Sequence, residues 1–578
     1  MKRKSNYIFI YLLIGKLVIL GACSDDFLDK QPPASAAGAI MENLDGVEAL
    51  LVGAYDGLTT KRYTVGMGCD WTFGSVASDD AYTGSNYVTD PLERWEMFAA
   101  DGRYLVQRWS EGYNGVARAN EVLVFLRRVQ QGDNPIPEVR AKEIEAESKF
   151  LRAWYHFKTT RVFRYIPYIK TVEEMGGKLP EEIPNDTEGW GGIEEDLQFA
   201  IDNLPESHPL GHVGRPTKFS AMAVKAHAHM YQNEFAQARP LLDNIINSGR
   251  FILVDNFNDN FDLASNNNDE SIFEIQITVA AEGGGSGFNN HQPFAHQIGP
   301  AGLGWGFFQP SHDLFLAYQT DDGLPILDKD DRLPLSHDWG IRSDEEFIPT
   351  DRPLDPRVDH TIARRGVDFQ GWGIHHGMAW IRMPSSNGNY MTKKYHHFLD
   401  DPGTIGPRNA RNLRSYRLGH VLLWRAEIAV EDGDLDYARQ LVNMIRDRAK
   451  DSQPVIGRAT TYIFDGRDVE VDWEQPAADY LIESYPAGHP AFSNQQNARK
   501  AVRLEHRLEF ATEGKRFFQL RRWGIIADVL NDYVTRDGEF RAFMRGAQFV
   551  SPRDEYWPIP QAQLDLQEGV LHQDPNWQ

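Results

Sequence analysis

"RSYRLGHVLLWRAEIAVEDGDLDYARQLVNMIRDRA", residues 414–449, places apolar side chains every three to four positions on both sides of a short acidic turn. Leu418, Val421, Leu422 and Ala429 share one face of a first helix. Ala438, Leu441, Val442, Ile445 and Ala449 share one face of a second. The intervening "EDGDL" turns the chain, and the alanines fall where two helix backbones approach each other.

Working outward, the same unit recurs. "TKFSAMAVKAHAHMY" carries Phe219, Met222, Ala223, Ala226 and Met230, and "EFAQARPLLDNIINSG" carries Phe235, Ala238, Leu242 and Ile245. Gly249 is placed to cap that second helix, while Pro240 inside it should kink it or delay its start. "GVEALLVGAYDGL" with "WSEGYNGVARANEVLVFLRR", and Ala141–Val162 with "GGIEEDLQFAIDNL", make two further pairs. On Ala141–Val162 the residues Phe150, Trp154 and Phe157 recur at one-face spacing, with Leu151 and Tyr155 beside them, and Pro167 closes the helical pattern. Helix, short turn and helix is the grammar of a tetratricopeptide-like repeat. The expected fold is mainly α, an irregular α-α superhelical scaffold with long insertions and a few short strands. Residues 255–405, between the third and fourth pairs, are rich in Gly, Asn, Asp, Pro and Trp, with one strand expected at "ESIFEIQIT". Long irregular segments of this kind usually carry function.

The N-terminus has a basic head (Lys2, Arg3, Lys4), apolar runs broken by Lys16, and small residues before Cys23. This pattern describes an export signal. It falls short of the roughly 20 uninterrupted apolar residues of a membrane span. Leu20-Gly21-Ala22-Cys23 resembles a bacterial lipobox, in which the cysteine sulfur is alkylated with diacylglycerol before cleavage. A lipidated Cys23 cannot pair with Cys69, the other of the two cysteines. Ser24-Asp25-Asp26 resembles the acidic signal that sends lipoproteins of Bacteroidetes-type bacteria to the outer face of the outer membrane. The 578-residue chain has a net charge of −23, and loses basic residues with its leader. That argues against nucleic acid as a partner. It equally argues against charge-driven docking on anionic lipid, so the lipid must do the anchoring. The expected division is residues 1–22 as signal peptide, 23–250 as a domain of helix pairs, and 251–578 as a domain with the irregular insertion and the last pair.

Eleven motifs in order identify the chain as resembling the RagB/SusD family of outer-membrane nutrient-uptake lipoproteins. They include "CSDDFLDKQPP", "SDDAYTGSN", "YNGVARANEVL", "AESKFLRAWYHFKTTRVFRYIPYI", "GLGWGFFQPSHDL", "RLEHRLEFATEGKRFFQLRRWG" and "YWPIPQAQL". Asp574 stands where the family pattern usually has asparagine. The resemblance implies a SusD-like helical fold and a surface binding protein, not an enzyme. Such a protein captures oligosaccharide and sits as a lid on a SusC-like TonB-dependent transporter barrel; some relatives bind peptides instead.

Sugar rings present apolar C–H faces that pack on flat aromatic rings, while their hydroxyls need fixed polar partners. The insertion between the first two helices supplies Trp71, Tyr82 and Trp95, with Asp79, Asp80 and Asn86 as hydrogen-bonding groups. The central segment supplies Trp305, Phe307, Phe308, Trp372 and Trp380. The family's ligand site resembles this regional arrangement, one wall from each segment. Trp154 and Trp523, in strongly periodic helices, are expected in the core.

Glu505 and Glu509 superficially suggest a secreted helical glycoside hydrolase. Catalytic carboxylates, however, flank a glycosidic bond from opposite sides, whereas these two share one helical face. A structural ion network with Arg503, Arg507 and Arg516 is the expectation, and a purely structural repeat adaptor is a third alternative. His375-His376 and His396-His397 lack partners at metal-ligand spacing and are expected to be solvated. Gly283–Gly287 lacks the Lys-Ser/Thr of a phosphate cradle. No cofactor is expected. Asp328, Asp330 and Asp331 lack the glycine and final glutamate of an EF-hand, so only a structural calcium ion stays open there.

Overall fold

The computed structural model describes residues 42–59, 67–68, 70–84, 90–99, 104–209, 211–277, 306–394, 396, 398–401, 410–464 and 469–577. Cys23, Cys69, Asn86, Gly283–Gly287, Trp305 and His397 lie outside them.

All four expected helix pairs are present. The first three are α1 (Leu44–Asp56) with α2 (Leu105–Gln131), α3 (Glu138–Phe163) with α4 (Trp190–Asn203), and α5 (Lys218–Tyr231) with α6 (Phe235–Asn247). A short helix, α7 (His312–Ala317), lies in the central segment, and the fourth pair is α8 (Leu418–Asp432) with α9 (Leu435–Asp451). Further helices follow, among them α10 (Gln495–Phe510), α11 (Arg516–Arg522) and α12 (Ile526–Phe540). Local chemistry sets the boundaries. The Asn43 side chain accepts from the Gly46 amide at 3.0 Å and starts α1. Between α8 and α9, Gly433 turns the chain at φ +81°, where a side chain would be strained, and the Asp434 carboxylate accepts from the Tyr437 amide at 3.2 Å.

Two helices depart from their sequence patterns. In α3 every residue from Phe150 to Phe163 is buried, not one face only. Neighbours α2 and α4 flank it, Phe273 packs edge-on to Phe150 and Trp154 at 5.1 and 5.2 Å, and the Trp557 amide bonds the Val162 carbonyl. A helix buried all round must pair its charges. Arg152 holds Asp196 and Glu174, while Lys158 and Arg161 share Asp70 with Arg108. In α6 the helix runs through Pro240. Pro240 and Ala236, one turn earlier, are both exposed, so water can take the carbonyl that proline leaves without a donor.

The strands form antiparallel pairs. β1 (Ala81–Gly84) lies beside β3 (Phe307–Pro310), in register Tyr82 to Gln309, and joins the N-terminal insertion to the central segment. β2 (Ser271–Ile275), the strand expected from "ESIFEIQIT", pairs with β4 (Leu413–Arg417). The "RSYR" start of the opening stretch is therefore strand, not helix. Arg417, Tyr416, Arg414 and Leu413 lie opposite Ser271, Phe273, Glu274 and Ile275, with a shift of register on the way, and Tyr416 reaches His227 while Arg414 meets Glu274. The fold is mainly α and tetratricopeptide-like. One core runs through both halves of the chain, from Val47 to Leu571, and a smaller one around Leu314, Tyr318, Leu354 and Leu508 lies beneath the central segment. The N-terminal insertion locks against the segment after α10 by backbone contact. A Cβ on Gly74 would lie 1.9 Å from the Gly514 carbonyl oxygen.

Candidate functional site

The insertion's acidic pair is a buried foundation rather than an open ligand platform. Arg516 grips Asp79 with two bonds of 2.8 and 2.9 Å. Arg507, on α10, donates to Asp80 Oδ1 at 2.9 Å and reaches Asp313 Oδ1, at the start of α7, also at 2.9 Å. Arg536 of α12 closes on the other Asp313 oxygen. Burial works to raise the Asp313 carboxyl, but Arg507 and Arg536 overcome it and hold the group well below the carboxylate range. The Tyr82 hydroxyl donates to Asp537 of α12 at 2.7 Å and accepts from the His312 amide at 3.3 Å. Burial, then Asp537, pushes that phenol far above its usual range.

Above this foundation opens a cleft of about 320 Å³, at the lower end of the roughly 300–1,000 Å³ of small-molecule sites. One wall comes from α7 and residues 329–337, the other from Tyr533–Phe540 of α12. Phe540 is the aromatic centre. It meets His337 edge-on at 5.2 Å and lies nearly parallel to Trp339 at 5.5 Å, and all three rings are half-buried. Tyr82 supports Trp339 edge-on from below at 6.3 Å. Burial, then His337, lowers the His312 imidazole to about 4, and burial lowers His337, so both are neutral donor–acceptors at neutral pH. Arg332, Lys329 and Arg536 add cationic groups. Asp313 is committed to two arginines, and Asp537 to Tyr82 and Arg541. Such an arrangement can stack and hydrogen-bond a flat polar ligand; these two carboxylates are not placed as an acid–base pair.

The sequence candidates therefore fall in three groups. Trp71, Trp95 and Phe308 are core: Trp71 packs on Phe308 at 5.3 Å, and the Trp95 indole donates to the Ala77 carbonyl at 2.9 Å. Phe307 and Trp380 are also buried, and Trp372 packs on the cluster of Phe369 and Trp380. The insertion has to build its own hydrophobic support, and its rings provide it. Asp79, Asp80 and Tyr82 stand beneath the cleft and position its walls. Asn86, Trp305 and the lipidation candidate Cys23 lie outside the described residues. Among the described residues, none of the insertion lines the cleft; its second wall is α12 instead. Sequence reasoning missed Arg332, His337, Trp339, Tyr533, Arg536 and Phe540. The available signal was Asp537, a charge on the α12 face whose other members, Ile526, Leu530, Tyr533 and Val534, are buried.

Other expectations are corrected by the same contacts. Glu505 and Glu509 do sit in a buried ion network, but Arg503, Arg507 and Arg516 are not its members. Residues two apart on a helix face different ways, so the partners come from elsewhere: Arg357 and Arg446 for Glu505, and Arg357, Arg417 and Arg448 for Glu509. His375 and His396 are buried rather than solvated, each edge-on to Phe369. Trp523 is half-buried at the end of α11, its indole donating to Glu427 at 2.9 Å. Asp328 is paired with Lys500. Glu194, His229 and Glu234, brought together from α4, α5 and the α5–α6 turn, are the one group of three metal-ligating side chains among the described residues. There His229 Nδ1 lies 2.7 Å from Glu234, and Gln232 donates to Glu194 at 2.6 Å, so the cluster already clamps the turn.

Comparison with known proteins places this geometry. Residues 269–577 match the model of the SusD family, and residues 26–230 match one described as starch-binding associating with outer membrane. SusD-like protein P25 of Formosa agariphila is 24% identical over 595 residues, covering 99% of each chain. Among solved structures, a SusD-like protein of Bacteroides fragilis superposes with a TM-score of 0.65 at 20% identity, covering 93% of this chain and 97% of that one. Surface glycan-binding protein A of Bacteroides thetaiotaomicron, in complex with laminarihexaose, gives 0.64 at 20% identity, covering 92% and 99%.

Proposed function

The chain belongs to the SusD family, and from that premise we propose that it is a non-catalytic, cell-surface glycan-binding lipoprotein. It captures oligosaccharide in the cleft beside α12 and delivers it to a SusC-like TonB-dependent transporter. Among the described residues no helix is long and apolar enough to cross a membrane, and in this reading lipid on Cys23 holds the protein at the outer face of the outer membrane. The observation that carries the ligand class is the half-buried pair Trp339–Phe540, set between polar groups already fixed by their own hydrogen bonds. Flat faces with a fixed polar rim suit sugar rings better than extended peptide, which would need a row of open backbone partners. The Bacteroides thetaiotaomicron relative with bound laminarihexaose supports the same class.

Isothermal titration of the mature protein against oligosaccharides and peptides tests it. Phe540→Ala should weaken glycan binding about two- to tenfold, the loss of one stacking face worth about 0.5–1.5 kcal/mol. Binding of peptides but not glycans would overturn the ligand class. Co-purification of a transporter barrel with this chain tests the partner, and mass spectrometry of the mature N-terminus tests the anchor.

A further inference from the structure

Arg332 stands apart from the other cations at the cleft. Lys329 is paired with Asp532, and Arg536 with Asp313 and Asp532. Beneath them, Arg507 and Arg516 are saturated by Asp79, Asp80 and Asp313. Arg332 lies half-buried in the cleft wall, and its Nε and Nη2 both donate to one acceptor, the Ile326 carbonyl, at 3.3 Å. Among the described residues no carboxylate lies within ion-pair distance of it. Burial, then the nearby Arg507, lowers its guanidinium to about 10 against the pull of Asp313, with Arg516 and Arg536 adding to the repulsion. It stays charged at neutral pH, and the nearby Asp313 is already shared by Arg507 and Arg536.

A guanidinium presents five donors in a planar fork that matches a carboxylate or sulfate oxygen pair. Two donors sharing one backbone carbonyl leave most of that fork unused. The acidic groups lining the cleft do not take it up: Asp313 and Asp537 are held by other arginines, and Glu539 is exposed at the rim. Building on the glycan-binding function proposed above, we propose that the cleft selects acidic saccharides, with Arg332 holding a carboxylate or sulfate ester while Phe540, backed by Trp339, carries the ring. The chain's overall charge of −23 repels such a ligand at a distance. At physiological salt that repulsion is screened beyond about 8 Å, so contact chemistry at Arg332 decides.

The test is titration of the mature protein with three oligosaccharides of equal length: neutral, uronate-bearing and sulfate-bearing. An acidic ligand should bind about ten- to hundredfold tighter than the neutral one, the worth of a charge-assisted hydrogen-bond pair. Whether the uronate or the sulfate arm gains identifies the group recognised. Arg332→Gln should bring the ratio of acidic to neutral affinity down to about one, whatever it does to neutral binding itself, and Arg332→Lys, which keeps charge but not the fork, should retain part of that ratio. Circular dichroism of both variants confirms that they fold. Equal affinity for all three ligands, or a preference unchanged in Arg332→Gln, overturns the proposal while leaving glycan binding standing. Binding of none of the three defeats the glycan reading itself.

Discussion

Replacing Glu509 by glutamine removes one charge from the centre of the C-terminal half while keeping the side chain's shape. Glu509 meets Arg357 at 3.0 Å and closes tightly on Arg417 and Arg448. These three arginines arrive from the central segment, β4 and α9, so the carboxylate ties three separate elements to α10. The wider network holds five cations (Arg357, Lys394, Arg417, Arg446, Arg448) and five carboxylates (Glu270, Asp355, Glu505, Glu509, Glu513), all buried. Glu509→Gln leaves one buried positive charge uncompensated. Breaking a buried pair costs about 3–5 kcal/mol. Each arginine keeps another carboxylate, Arg357 with Asp355, Arg417 with Glu513, Arg448 with Glu270. That places the expected loss near the bottom of the range, about 3 kcal/mol.

Urea unfolding followed by tryptophan fluorescence should show the midpoint falling by up to about 1 M, for an m-value of about 3 kcal/mol/M or more. Arg448→Met combined with Glu509→Gln restores the balance and should recover at least half of the loss. The pH dependence has a definite sign. Burial opposes ionisation, yet Arg448, Arg417 and Arg357 hold the Glu509 carboxyl well below its usual range. A depressed folded pKa gives stability that is full above the unfolded value of about 4.3 and disappears as pH falls through the folded one. The gap between wild type and Glu509→Gln is therefore complete at pH 7 and shrinks in acid below about pH 4. A gap under about 1 kcal/mol at pH 7, no recovery in the double variant, or a gap unchanged at pH 3 would refute the reasoning.

Asp338 carries the opposite sign. Burial raises its carboxyl to about 6 despite Arg365 nearby, so ionisation is penalised increasingly as pH rises from about 4 to above 6. Asp338→Asn should stabilise the protein at pH 7.5 by up to about 3 kcal/mol and leave it unchanged near pH 4; an equal thermal shift at both pH values would exclude this cause. Gly74→Ala drives a methyl group into the Gly514 carbonyl, backbone against backbone. A loss of more than about 3 kcal/mol, or failure to accumulate folded protein, is expected, and near-normal melting would show that the insertion can move away.

The helix pairs were legible because amphipathic periodicity is a local property. Val421, Leu422, Leu441 and Ile445 announce their faces to anyone who counts. The strand at Ser271–Ile275 was legible for the same reason, while its partner at Leu413–Arg417 was not, since a strand joined to a helix without a break looks like more helix. In α3 the periodic face was real but incomplete, because burial on every side comes from neighbours distant in sequence.

For the site, the ordered motifs pointed to the family, but the insertion they singled out supports the cleft from beneath, and the second wall is α12. They could not assign individual side chains. An aromatic ring is equally at home in a core or on a sugar, and only its neighbours distinguish the two. Trp71 and Trp95 are enclosed, whereas Trp339 and Phe540, brought together from distant parts of the chain, stay half-buried. The same holds for charge. Arg507 and Arg332 are both arginines in polar surroundings, and their difference rests on which carboxylates the fold brings within 4 Å of each. Periodicity is written along the chain, but pairing is decided between segments that only the tertiary structure brings together.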